Sequence, residues 1–185
     1  MSSFRGLFCL CLFIMLFPLT GCSSDQLSFS TLNQAGDASY SNTSTELVVI
    51  ATQDELNKLM ASVVTKYPLD AKAENVDFDQ NFILLVLRGR TLSGYDVTVQ
   101  KVRRVGSEVS IYAEFKKPDP DQLILPASAS PYHLISVSKK GEWDQDIRFT
   151  LLDTGGDEPQ TVLQVTHFIP THGMIPSHIQ SPTPK

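Results

Sequence analysis

Apolar and polar residues alternate along much of this chain between residues 80 and 170. From Tyr95 the odd positions Tyr95, Val97 and Val99 are apolar and the even ones polar. After Gly106 and Ser107 the pattern returns as Val109, Ile111, Ala113 and Phe115. Side chains of a strand point to its two faces in turn, so these runs predict a hairpin with one buried face and a turn at Gly106. Residues 82–87 are apolar at every position, the pattern of a strand covered on both faces and central in its sheet. Residues 46–51 suit a short buried strand, and 133–138, 147–152 and 162–169 are further strands, with Gly141 and Gly155-Gly156 marking turns between them. The period changes to that of a helix once. Thr52 and Glu55 have the spacing of a capping box, and Leu56, Leu59, Met60 and Val63 share one face, which predicts a helix over 53–66 that stops before Pro68. One early helix and many short strands define the fold class as α+β, mostly β: a single sandwich-like antiparallel sheet domain over residues 46–169 with one N-terminal helix.

The flanks carry no such periodicity. Residues 22–45 are rich in Ser, Thr, Asn, Gly and Asp and read as a flexible tether, with a root-mean-square reach of about 25 Å. Residues 170–185 hold four prolines in sixteen positions, which removes backbone donors and predicts a tail without regular structure.

The first 21 residues have the layout of an export signal: Arg5, then an apolar run from Leu7 to Leu19. As a helix that run reaches roughly 20 Å, short of the ~30 Å hydrocarbon layer of a membrane. Leu19, Thr20, Gly21 and Cys22 resemble the lipobox of bacterial lipoprotein precursors, in which small residues before the cysteine admit the signal peptidase and the thiol takes a diacylglycerol thioether. The expectation is a mature chain beginning at Cys22 and tethered through lipid there to a membrane outside the cytoplasm. Because Ser23 and Ser24 follow the cysteine rather than Asp, that membrane is the outer one if the host has two. Cys9 and Cys11 fall in the removed segment and Cys22 is blocked by lipid, so no disulfide is expected and the fold must rest on its core.

Charge and composition narrow the function. The chain carries a formal charge of −5 and has no long basic run, which argues against nucleic acid as a partner. It has neither a Gly-x-Ser-x-Gly nucleophile elbow nor a cysteine nucleophile, so no catalytic residue is expected. His133, His167, His172 and His178 fit none of the usual metal-ligand spacings, and the pairs Asp119/Asp121 and Asp144/Asp146 lack the Asp-x-Asp-x-Asp-Gly pattern of a calcium loop. No metal and no cofactor is expected.

Three segments carry a family resemblance. They are the apolar strand ending at Leu87, Arg88, Gly89 and Arg90; the turn Ser93, Gly94, Tyr95 leading into an alternating strand; and Ser130, Pro131, Tyr132 and His133 opening a later strand that ends at Lys140-Gly141. In that order they resemble the carboxy-terminal domain of PrcB-like proteins, over about residues 76–140. The family turn is typically Gly-Gly-Tyr, and here Ser93 replaces the first glycine. The proline-bearing stretch 116–126 is expected to be a loop. The resemblance implies a role in association rather than chemistry, since the family is named for an accessory lipoprotein that supports a surface protease complex. The expected partner is another exported protein. Candidate binding residues within these segments are Gly94, Tyr95, Tyr132, His133, Arg88 and Arg90. The structural alternative has Tyr95 packed under the hairpin, Tyr132 finishing a sheet edge and the arginines in surface ion pairs. A second functional class, an envelope ligand- or glycan-binding module, would use Tyr95, Tyr132 and Trp143 as stacking surfaces.

Overall fold

The computed structural model describes residues 25–36, 40–61, 69, 71–121, 124 and 126–172. The export signal, Cys22 and the predicted tail beyond His172 lie outside the described residues. In chain order the elements are β1 (Gln26–Leu27), β2 (Phe29–Ala35), β3 (Glu46–Ile50), α1 (Gln53–Met60), β4 (Asn81–Leu87), β5 (Thr91–Leu92) and β6 (Thr98–Val105). They continue with β7 (Glu108–Glu114), β8 (Ser128–Ala129), β9 (Tyr132–Ser138), β10 (Gln145–Asp153) and β11 (Gln160–Ile169).

The strands form two main sheets, ordered β1-β6-β7-β10-β11 and β2-β9-β4-β3, with β5 and β8 as a separate two-stranded ribbon. The inward faces of both sheets share one apolar core. Phe82, Leu84 and Val86 of β4 and Ile135 and Val137 of β9 meet Val99 and Val102 of β6, Val109 and Ile111 of β7 and Phe149 and Leu151 of β10. The other face of the four-stranded sheet is also covered: Leu56 of α1, Phe78 and Tyr40 pack on Ile83, Leu85 and Leu134. That is why β4 is apolar at every position from Phe82 to Leu87, lying between β3 and β9 with both of its faces dry.

The expected α+β, mostly β sandwich is therefore present, with one early helix. Its pairing departs from a purely antiparallel design at one place, where β10 runs parallel to β7. The chain leaves β7, crosses to the other sheet as β9 and returns, so it re-enters beside β7 in the same direction, as a parallel neighbour requires. The helix begins as predicted: Thr52 Oγ1 accepts from Glu55 N at 3.2 Å and Glu55 Oε2 accepts from Ala51 N at 2.6 Å. It ends at Met60, with Ala61 as its C-cap. The remainder of the predicted span, from 62, lies outside the described residues.

The larger correction concerns the tether. Residues 26–35 are not a free linker. β1 adds to the edge of β6, with Leu27 buried, and β2 adds to β9 from Phe29↔Val137 to Ala35↔Tyr132. The polar composition that reads as a linker is that of an edge strand whose solvent-facing side chains need no apolar character. Tyr40, further along, is 2% exposed, and its carbonyl accepts from Ser130 Oγ at 2.5 Å. The folded unit thus reaches back at least to Asp25 rather than starting at residue 46. At the other end Pro170 is buried, its carbonyl accepting from Lys139 Nζ at 2.8 Å, and Thr171 N donates to Asp144 Oδ1 at 2.9 Å.

Candidate functional site

β4 and β6 bring the candidate residues to one end of the sandwich. β4 ends at Leu87, the chain turns at Gly89 with φ +94° and again at Gly94 with φ +86°, and enters β6 at Thr98. The departure of Ser93 from the Gly-Gly-Tyr pattern is absorbed here, because the positive φ falls on Gly94. Gly89 admits no side chain. A Cβ built on it would stand 2.8 Å from the carbonyl carbon of Thr43 and 2.9 Å from the carbonyl oxygen of Ser44.

Arg88 is the centre of this pole. Its guanidinium carbon lies 4.8 Å from the Tyr95 ring centroid and 5.5 Å from that of Phe115, and Nη1 donates to the Asp96 carbonyl at 2.8 Å. Burial pulls its pKa down, against the opposing pull of Tyr95, Asp153 and Asp96; an arginine starts so high that the group stays charged. The backbone around it is tied on both sides. Arg88 N donates to the Pro131 carbonyl at 3.0 Å, and Thr45 Oγ1 donates to the Arg88 carbonyl at 3.0 Å. Arg90 stands apart from this stack: its Nε donates to Ser128 Oγ at 2.7 Å and its N to the Asn42 carbonyl at 2.7 Å. Among the described residues both arginines are thus held by rings, carbonyls and a hydroxyl, and neither forms the expected surface ion pair.

Two open depressions flank the stack. One, of 550 Å³, runs past Gln34, Gly36, Gly94, Tyr95, Asp96 and Lys116. The other, of 470 Å³, runs past Phe115, Lys116, Lys117, Asp119, Asp153 and Gly155. Lys116 borders both. Asp153 Oδ1 accepts from Phe115 N at 3.4 Å and Gly155 N at 2.9 Å, which ties the β10–β11 loop to the same pole.

The other candidates are inside the protein. Tyr132 is 5% exposed and opens β9, an inner strand of its sheet rather than an edge. His133 is 2% exposed: Nδ1 accepts from Val99 N at 2.8 Å and Nε2 lies 2.9 Å from Thr31 Oγ1, so the ring bridges the two sheets. With Nδ1 the acceptor, Nε2 carries the proton and donates to Thr31. Burial holds the His133 pKa below its ordinary value, only partly opposed by Asp96. Trp143 is 2% exposed, with the Arg104 guanidinium 3.8 Å above its ring, so it offers no stacking surface. His167 belongs to β11 rather than a solvated tail, and its Nε2 lies 3.1 Å from Glu55 Oε1. Among the described residues, no three His, Cys, Asp or Glu side chains converge as metal ligands would.

Of the six residues singled out from sequence, Arg88, Gly94 and Tyr95 therefore share one surface, Arg90 lies beside it, and Tyr132 and His133 support it from within. Phe115, Asp96, Lys116 and Asp153 were missed. Phe115 continues the alternation of its run but stands one residue past the end of β7, where it packs only in part against the core and leaves the rest of its ring open.

Residues 82–138 match the PrcB C-terminal family. The matched segment runs from β4 to the end of β9 and includes the whole Arg88–Tyr95 turn. No curated protein and no solved structure matches the chain.

Proposed function

We infer, from a chain that carries a PrcB-like C-terminal domain over residues 82–138, that this protein is a non-enzymatic accessory of another exported protein. It is held outside the cytoplasm by lipid on Cys22, at the outer membrane where the host has one. The family's association with protease complexes makes a protease, or its precursor, the partner to look for first.

The observation that carries this reading is the form of the pole. Arg88 and Tyr95 sit half-buried between two open depressions, on a backbone pinned by Pro131, Thr45 and Asn42. Arginine and tyrosine on a rigid frame are the residue types that dominate protein contacts, since they bury large area with little ordering cost. A glycan or small-molecule module needs its rings at the surface, and two of the three proposed for it, Tyr132 and Trp143, are in the core.

The test is capture from the native host by mild cross-linking, comparing the intact protein with Tyr95→Ala. The variant's fold is verified independently by circular dichroism. Recovery of an exported protease that binds the purified protein directly, and does so about tenfold more weakly with Tyr95→Ala, supports the reading. Binding of envelope glycan fragments, with no protein partner recovered, would overturn it in favour of the ligand module.

A further inference from the structure

The pole opposite Tyr95 has its own features. There the chain enters the fold: the Asp25 carbonyl accepts from Arg104 N at 2.7 Å, Asp25 Oδ2 lies 3.2 Å from Arg103 Nη2, and Gln26 and Leu27 register with Arg103 and Val102. The same end carries the β6–β7 turn, where Val105 is 64% exposed beside Gly106, and the turn at Lys140 and Gly141. A depression of 540 Å³ runs between them, past Asp25, Leu27, Arg104 and Glu142.

We propose that this pole rests on the lipid headgroup layer of the membrane that holds Cys22, and that the Tyr95 pole therefore points away from it. The inference rests on the reading of Cys22 as the lipidated first residue. Only Ser23 and Ser24 separate Cys22 from Asp25. Three residue steps span at most about 10 Å of extended chain. The headgroup layer on one side of a bilayer is itself about 5–8 Å thick, so most of that reach is used in crossing it. A tether of 24 residues would have let the domain float clear; with residues 26–35 built into the sheets, little slack is left.

The chemistry of this pole fits zwitterionic headgroups better than a strongly anionic surface. Arg103, Arg104 and Lys140 stand among Asp25, Glu108, Glu142 and Asp144, and the exposed turn tips Val105-Gly106 and Gly141 are uncharged. Contact is imposed by the short anchor and eased by tips that carry no charge to desolvate. β6 advances about 3.3 Å per residue, so its eight residues set the two poles roughly 25 Å apart.

The mature lipoprotein has no free thiol once Cys22 is modified, which makes single-cysteine labelling possible. The full chain is produced in a bacterial host, purified with its lipid and reconstituted into phosphatidylcholine vesicles containing a headgroup-linked nitroxide quencher. A fluorophore is placed through Val105→Cys or through Leu92→Cys, the latter 49% exposed at the Tyr95 pole. The expected result is at least about threefold stronger quenching at position 105 than at 92, a ratio that falls toward one when ten Gly/Ser residues are inserted between Ser24 and Asp25. Equal quenching at the two positions, or a ratio unmoved by the insertion, overturns the proposed orientation. Flotation with vesicles and the mass of the N-terminal peptide separate the causes. A lipidated, floating protein with equal quenching loses the orientation and keeps the anchor, whereas a protein that neither floats nor carries lipid loses both.

Discussion

His133 shows how one side chain can look functional in a sequence and be structural in the fold. A histidine next to a tyrosine at the start of a strand, with three more histidines downstream, invites thoughts of a ligand. Its ring instead satisfies the Val99 amide from one sheet and the Thr31 hydroxyl from the other. Replacing it with leucine leaves that buried amide without an acceptor and is expected to cost about 1–3 kcal/mol in urea unfolding. The pH dependence has a definite sign. Burial disfavours the imidazolium in the folded protein, so the unfolded chain binds the proton more readily. The contribution is complete above the ordinary histidine value of about 6.5 and is lost as pH falls through it toward the lower folded value. Wild-type protein should lose stability between about pH 7 and 5, and the His133→Leu variant should show a flatter profile over that interval. Neither contact was legible in the sequence, because Thr31 and Val99 are 102 and 34 residues away along the chain and only the stacking of the sheets brings them to one ring.

At the scale of elements, the strands and the helix start were legible, and the points where they bend were not. Val97 and Val99 face the core on odd positions, yet Val102 faces it on an even one. A register shift between Val99 and Lys101 places Gln100 as an extra residue and moves the inward phase by one. The shift also turns Arg104 inward over Trp143, where three carbonyls, of Gly106, Lys140 and Glu142, accept from its guanidinium. Glycines at the turns differ in the same context-dependent way. Gly89 and Gly106 both have positive φ, but nothing lies within 4 Å of a Cβ at Gly106, whereas Gly89 is walled in by the backbone of Thr43 and Ser44. Gly106→Ala should cost about 1 kcal/mol of strain, and Gly89→Ala at least about 2 kcal/mol because the neighbouring backbone must also move; parallel thermal melts would read the difference. The capping box has a second duty of the same kind. Burial would raise the Glu55 pKa, but the His167 hydrogen bond, the Ala51 amide and the His167 charge outweigh it and bring the net value down. Its contribution is present above the ordinary carboxylate range and lost as pH falls below about 4.5, so Glu55→Gln should flatten the unfolding profile there while leaving the pH 5–7 slope of His133 in place.

For the molecule as a whole, the decisive feature is where the fold begins. A chain shortened to start at Glu46 would leave the β9 edge without β2 and the β6 edge without β1, and would uncover Ile135 and Val102 beneath them. Such a chain should show no cooperative unfolding transition, whereas one starting at Asp25 should melt as a single unit; differential scanning calorimetry of the two distinguishes them. The sequence by itself determined the elements whose cause is local: the alternation leading into β6 and along β7, the apolar run 82–87 of β4, the Thr52–Glu55 cap, the turn at Gly94, and the segment that matches a PrcB-like domain. Only the tertiary structure decided the rest. It drew a Ser- and Asn-rich stretch into the sheets, made β10 a parallel neighbour of β7, buried Tyr132, His133 and Trp143, and gathered Arg88, Tyr95, Phe115 and Asp153 at one pole. The reason is physical. Periodicity records which face of an element meets water, whereas pairing partners and edge strands are set by free-energy differences between residues far apart in the chain, which leave no local pattern to read.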